Sequence, residues 1–182
     1  MVMMHNNTNT SHSFLEEDEA PDEPEPPLTV LVSHMSWLTL GDVEGVIRNA
    51  YHATGAKLSD VSEGEVAIVL TSDADIQALN AQFRGKDTPT NVLSFPTDNT
   101  FCHVPDEDMS LGDIIIAYET VLREASEEGK SALDHLAHLT IHGLLHLVGF
   151  DHETDAEAEQ MEALEREILA SLNIPDPYQR SN

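Results

Sequence analysis

From Leu28 onward, the apolar positions fall into blocks whose spacing switches between the periods of strand and helix. Leu28–Val32 is a short β-branched run with the length of a strand. Over 42–53, Val43, Val46, Ile47 and Ala50 recur on one helical face, and Gly55 marks the stop. A mostly buried strand is predicted over 65–71. Ser72 then caps a helix with Ile76, Leu79 and Phe83 on one face, closed by Gly85. Two further strands are predicted over 92–95 and 113–117, separated by an irregular polar stretch over 98–111. A helix runs from 118 to about 128, with Gly129 as its stop. Ser131 opens the next helix, with Asp134 as a capping-box partner. Leu133, Leu136, Ala137, Leu139, Ile141, Leu144, Leu145 and Leu147 make this helix apolar nearly all round, so it is expected to be central and buried. Thr154 and Glu157 form a second capping box. Behind them Met161, Leu164, Ile168 and Leu172 form a stripe, and the acids of that helix read as its solvated face. Helices follow strands without strict alternation, which gives an α+β domain, or α/β with a mixed sheet.

The two ends differ from this pattern. Residues 1–27 are polar, then acidic and proline-spaced, with seven Asp and Glu and no Lys or Arg. Such a segment cannot offset its ordering entropy by burial, so it is read as a disordered acidic tail. The folded domain is expected over 28–174, with a short C-terminal tail over 175–182.

Charge sharpens the functional reading. The 182-residue chain carries 8 Lys and Arg against 34 Asp and Glu, a formal charge of −26 with neutral His. A surface of that sign repels nucleic-acid backbones and anionic lipid, which argues against a non-specific nucleic-acid binder or a polybasic membrane anchor. One cysteine, Cys102, excludes an internal disulfide and a cysteine zinc cage, and favours a reducing compartment. No apolar run reaches the roughly 20 residues of a membrane span. The N-terminus lacks the basic and apolar regions of a secretory signal. The expected location is the cytoplasm.

Ten histidines stand out, five of them between 135 and 152. Buried imidazoles need partners, and an unpaired buried polar group costs on the order of 1–3 kcal/mol. In His142-Gly-Leu-Leu-His146-Leu-Val-Gly149-Phe-Asp-His152 the first two histidines lie one turn apart on one helical face. Gly149 lets the chain turn back, and that return brings His152 to a third corner. Three neutral imidazoles at about 2.0–2.1 Å suit one Zn²⁺ per chain and leave a fourth position for water, which marks a catalytic site. The spacing is that of zinc proteases, but Gly143 stands where those enzymes carry a glutamate base. His138, one turn before His142, reads either as a partner or proton relay behind a ligand or as a solvent-facing side chain. Asp151 is a candidate for orienting a ligand imidazole. Cys102 and His103 read as loop residues.

Opposite this helix, Phe83-Arg84-Gly85-Lys86-Asp87-Thr88-Pro89-Thr90-Asn91-Val92-Leu93-Ser94-Phe95-Pro96 carries the basic pair Arg84 and Lys86 where a helix stops and a strand begins. A guanidinium there reads equally as a fork onto a phosphate or as surface charge compensating Asp87. This block, Gly112-Asp113-Ile114 and the histidine motif together resemble the YbeY family of bacterial rRNA maturation factors over most of 28–172. The resemblance implies a mixed sheet of about four strands packed with helices, the histidine helix at its centre. It implies a zinc-dependent, single-strand-specific endoribonuclease acting in 3′-end maturation of 16S rRNA, the small-subunit rRNA, and in ribosome quality control. The implied partners are single-stranded RNA, the small ribosomal subunit and assembly factors. It makes His142, His146 and His152 the zinc ligands and Arg84 the cleft arginine needed for activity. Lys86, the other half of the basic pair, is a candidate RNA contact. Two other readings compete: a zinc hydrolase of peptides or amides with its base supplied from elsewhere, and a non-catalytic ribosome-assembly factor with a structural metal.

Overall fold

The computed structural model describes residues 28–97 and 110–179. Its sheet runs in the order β1-β2-β4-β3, with β1 (Leu28–Val32), β2 (Glu65–Thr71) and β4 (Ser110–Ala117) parallel. β3 (Val92–Pro96) lies antiparallel to β4 at one edge. Parallel neighbours need crossovers, and the helices supply them. A 3₁₀ turn (Met35–Leu40), α1 (Val43–Gly55) and the short α2 (Ser59–Glu63) link β1 to β2, while α3 (Asp73–Arg84) follows β2. The indole of Trp37 in the 3₁₀ turn is fully buried and donates to the Thr71 carbonyl at 3.0 Å. The chain ends in α4 (Tyr118–Glu127), α5 (Ala132–Leu147) and α6 (Asp155–Ser171). The expected α+β domain with a four-stranded mixed sheet is what the chain forms.

Side chains close the helix starts as the sequence foretells. Ser72 accepts from the Asp75 amide, Ser131 from the Asp134 amide, and Thr154 and Glu157 form the full reciprocal box. The 3₁₀ turn and α2 are additions to the pattern, being too short to show a helical period.

α5 is dry because it has two partners. Leu136, Leu139, Leu144 and Leu147 join the core laid against the sheet. Ala137, Ile141 and Leu145 pack instead with Ala50 of α1 and Met161, Ile168 and Leu169 of α6. Leu136, Ile141, Leu144 and Leu145 are all fully buried, each contributing about 1.5–3 kcal/mol relative to exposure. The histidine helix is thereby fixed on both sides, and its remaining rim carries the polar side chains.

Two expectations change. The acids of α6 are not all solvated, because Glu165 is fully buried. It sits within the apolar stripe, four residues after Met161 and three before Ile168, so helical geometry carries it inward. The segment expected as a C-terminal tail from 175 packs on the domain as far as it is described: Lys130 donates to the Pro177 carbonyl at 3.0 Å, and Tyr178 donates to Glu165. The 1–27 segment, Cys102 and His103 lie outside the described residues. Among the described residues, no helix is long and apolar enough to cross a membrane.

Candidate metal centre

α5 places His142 and His146 one turn apart on its rim. The helix then closes through Gly149, whose amide bonds the His146 carbonyl at 3.1 Å while the Phe150 amide bonds the Leu145 carbonyl at 3.0 Å. Gly149 adopts φ +92°, a conformation side chains disfavour, and the chain reverses there. The reversal brings His152 back until the ligand-capable nitrogens of His142, His146 and His152 all lie within 4.8 Å of one another. The Nε2 atoms of His142 and His146 are 3.0 Å apart. Two nitrogens bound at about 2.0–2.1 Å in tetrahedral geometry would be separated by about 3.3 Å. The site is therefore close to the spacing a shared ion requires.

Proton placement supports the same donor set. The Nδ1 of His142 lies 2.7 Å from Oε1 of Glu165, a carboxylate that can only accept. The proton therefore sits on Nδ1, and the Nε2 lone pair faces the other imidazoles. The His146 pKa is lowered first by burial and then by His142 and His152, against a hydrogen bond with the Phe150 backbone. Lowering it favours the neutral ring, the form that ligates metal. The residues present fit one zinc ion held by three imidazoles.

Behind the ligands, Glu165 is a buried acceptor. Its Oε2 also takes a 3.3 Å hydrogen bond from Nε2 of His138 and one from the Tyr178 hydroxyl. Burial alone would push its carboxyl up. The hydrogen bonds from His138, His142 and Tyr178 outweigh burial and bring it to about 2. Burial and the Glu165 carboxylate raise the Tyr178 phenol, which stays a donor. Sequence reasoning missed both residues. The signal for Glu165 was its place on the Met161–Ile168 stripe; Tyr178 carried none, because its role depends on how the last residues fold back.

The other histidine of the helix serves a different neighbour. His135 is 5% exposed, and its Nε2 lies 2.8 Å from Glu124 of α4, which Asn91 also contacts at 3.0 Å. His138 Nε2 lies 3.3 Å from both Oε2 of Glu165 and the Tyr178 hydroxyl, on the carboxylate that also meets His142. Asp151 accepts the backbone amide of His152 at 2.8 Å, which shapes the turn, and its charge also bears on the His146 ring.

The histidine cluster opens into a cleft of about 570 Å³ whose far wall includes Arg84, Thr90, Ser94 and Pro96. The Arg84 side chain is exposed and its Nη2 lies 3.4 Å from the Ser94 carbonyl, a bond that leaves most of the guanidinium fork free. Lys86 is not among the cleft-lining residues, and its amide is spent on the Asn80 carbonyl at the end of α3. Among the described residues, no carboxylate or thiolate completes the cluster.

Gly143 does more than omit a protease base. A Cβ there would lie 2.9 Å from two side-chain atoms of Ile114 in β4, and the Gly143 carbonyl accepts from Ser94 Oγ at 3.4 Å. The position faces the sheet, so a glutamate here would enter the core rather than stand beside the zinc.

The family described as endoribonuclease YbeY matches residues 34–173. The chain is 51% identical over 161 residues to endoribonuclease YbeY of Bradyrhizobium sp. strain BTAi1, spanning 87% of this chain and 95% of that protein. To endoribonuclease YbeY of Rhodopseudomonas palustris strain BisB18 it is 52% identical over 156 residues, spanning 84% and 93%. The solution structure of a Thermotoga maritima protein superimposes with a TM-score of 0.51 at 25% identity, covering 84% of this chain and 99% of that one.

Proposed function

Because the chain belongs to the YbeY family of endoribonucleases, we propose that it cleaves single-stranded RNA at a zinc ion held by His142, His146 and His152, with Arg84 as the phosphate clamp. The chain is a metal-dependent endoribonuclease of rRNA processing. The finer reading is maturation of the 3′ end of small-subunit rRNA and ribosome quality control, with the small subunit and assembly factors as partners. The observation that carries the site assignment is that an exposed guanidinium and three imidazoles line one cleft.

The chemistry a bound zinc supplies is Lewis acidity and a water whose pKa falls to about 7. The chain's own part is positional. His142 keeps its Nε2 free by donating Nδ1–H to Glu165. Arg84 reaches the cleft from the C-terminal end of α3, where its planar fork matches two phosphate oxygens and stabilises charge as it develops on them. One Nη2–H bond to the Ser94 carbonyl, at 3.4 Å, draws the fork toward the cleft and leaves its other donors for phosphate. Peptidase chemistry finds no base at position 143, which packs on Ile114.

The test is Arg84→Glu and Arg84→Lys, assayed for cleavage of a single-stranded RNA beside zinc content and melting temperature. Arg84→Glu is expected to keep zinc and fold while losing about 10²–10³-fold or more in rate, the scale of removing one preorganised donor. Arg84→Lys should recover part of the rate, since a point charge cannot make the bidentate contact. Cleavage by Arg84→Glu at the wild-type rate would remove Arg84 from the mechanism.

A further inference from the structure

Most of the last described residues, 174–179, are tied down more firmly than a chain end requires. Arg166 of α6 stacks its guanidinium 5.2 Å from the centre of the Tyr178 ring and approaches Asp176 at 3.6 Å. Asp176 in turn accepts the Tyr178 amide at 2.9 Å. Lys130, just before α5, holds the Pro177 carbonyl. These contacts aim one group inward, the Tyr178 hydroxyl, at Oε2 of Glu165.

We propose that Tyr178 and Glu165 are positioning residues for the metal, forming a relay in which the C-terminal segment sets how tightly the zinc is kept. The inference rests on the histidine triplet being the metal site. The geometry runs in one line. Tyr178 and His138 both occupy Oε2 of Glu165, which leaves Oε1 for the Nδ1–H of His142. A carboxylate held at one oxygen by two donors cannot rotate without breaking them, so its second oxygen is fixed against the imidazole. That contact sets the tautomer and the ring plane of His142, and thereby the direction of its Nε2 lone pair. Glu165 is fully buried, so no solvent can replace a lost donor. His146 has the Phe150 backbone beside it, and the His152 ring, exposed on the turn, meets the rings of His142 and His146 but makes no side-chain hydrogen bond among the described residues. His142 is thus the ligand whose pose depends on a side chain from another element.

The experiment uses the full chain and zinc alone, with affinity measured by competition against a chromophoric chelator. Tyr178→Phe keeps the ring over Arg166 and removes only the hydroxyl. It is expected to weaken zinc binding by about 3–10-fold, and Glu165→Gln by about 10–100-fold, the usual range for partners behind metal ligands. The double variant should bind no more weakly than Glu165→Gln, because Tyr178 acts through Glu165. Cobalt in place of zinc should show shifted visible ligand-field bands in Tyr178→Phe. The lost donor to buried Glu165 lowers the metal-free melting temperature in either case, so the bands discriminate: a merely structural tyrosine would leave them unmoved. Wild-type affinity and bands in Tyr178→Phe overturn the proposal, as does a double variant whose loss is the product of the single losses. Should Glu165→Gln fail to fold, the Tyr178→Phe affinity and cobalt bands decide alone. If the wild-type chain takes up no zinc, the metal assignment falls together with the relay; if it binds one zinc and Tyr178→Phe matches it, only the relay falls.

Discussion

Gly143→Ala sets two known effects of opposite sign against each other at one atom. In a helix interior, alanine is favoured over glycine by about 1 kcal/mol. Here the added Cβ would meet Cδ1 and Cγ2 of Ile114 at 2.9 Å and Cγ1 at 3.2 Å. Cδ1 can swing away, but Cγ2 is bonded to Cβ, and Ile114 is fully buried in the strand between β2 and β3. Either α5 lifts by a few tenths of an ångström or Ile114 leaves its rotamer, and overpacking of this kind costs about 1–3 kcal/mol. The two terms leave a net loss of about 0–2 kcal/mol, a fall in melting temperature of up to roughly 8 °C for a chain of this size. Ile114→Ala removes Cδ1, Cγ2 and Cγ1 together and alone costs about 2–5 kcal/mol. In the Gly143→Ala background it should cost less, giving a favourable coupling of about 1–2 kcal/mol. The assay is urea unfolding of the zinc-free protein for all four members of the cycle. A gain of about 1 kcal/mol in Gly143→Ala, with no coupling to position 114, would mean that propensity alone acts and the close approach is not real. Gly143→Glu goes further: it directs a carboxylate at Ile114 and is expected to yield unfolded protein rather than a peptidase.

Two further outcomes are open to simple measurement. His146→Ala removes one of three imidazoles and is expected to lose most bound zinc and lower the melting temperature of the zinc-loaded protein; metal analysis of the purified variant at wild-type stoichiometry would contradict the assignment. Deleting residues 1–27, which carry seven acids and no Lys or Arg, should leave melting temperature and zinc content unchanged, and a loss of several degrees by calorimetry would show that the segment packs on the domain.

The sequence was most legible where periodicity and chemistry coincided. The histidine motif could be read because i, i+4 spacing and a turn-permitting glycine define a local geometry, and the structure brings those three rings together. The strands and longer helices could be read because each buries one face of regular period. What escaped depends on contacts far apart in the chain. Glu165 looked like one more acid on an acidic helix until His142, 23 residues away, supplied its partner. Tyr178 lies in a segment without a period, held by Arg166 and Lys130. Gly143 looked like a missing base, whereas its surroundings give it a packing reason that only the sheet beneath α5 reveals.

The strong acidity of the chain and an RNA substrate are reconciled at short range. Three imidazole ligands are neutral, so a divalent ion held by them keeps its full charge, unlike one held by thiolates or carboxylates. Arg84 adds a positive charge on the same cleft. The Debye length at physiological salt is about 8 Å, so these charges act on a phosphate already in the cleft, while the −26 of the chain acts on a strand still outside it. Around His142 the surface also divides. One side is the cleft where Arg84 faces Asp151 and Glu153; the other is a more acidic hollow where Glu124, Glu127, Glu128 and Glu162 surround Lys130. On the proposed reading, phosphate is admitted along the arginine side and turned away along the glutamate side. An enzyme built this way gains little from non-specific electrostatic attraction to free RNA, the term that supplies nearly all non-specific binding in basic nucleases. Its selectivity then has to come from whatever presents the strand to the cleft, which is the physical reason for a ribosomal partner in the proposed function.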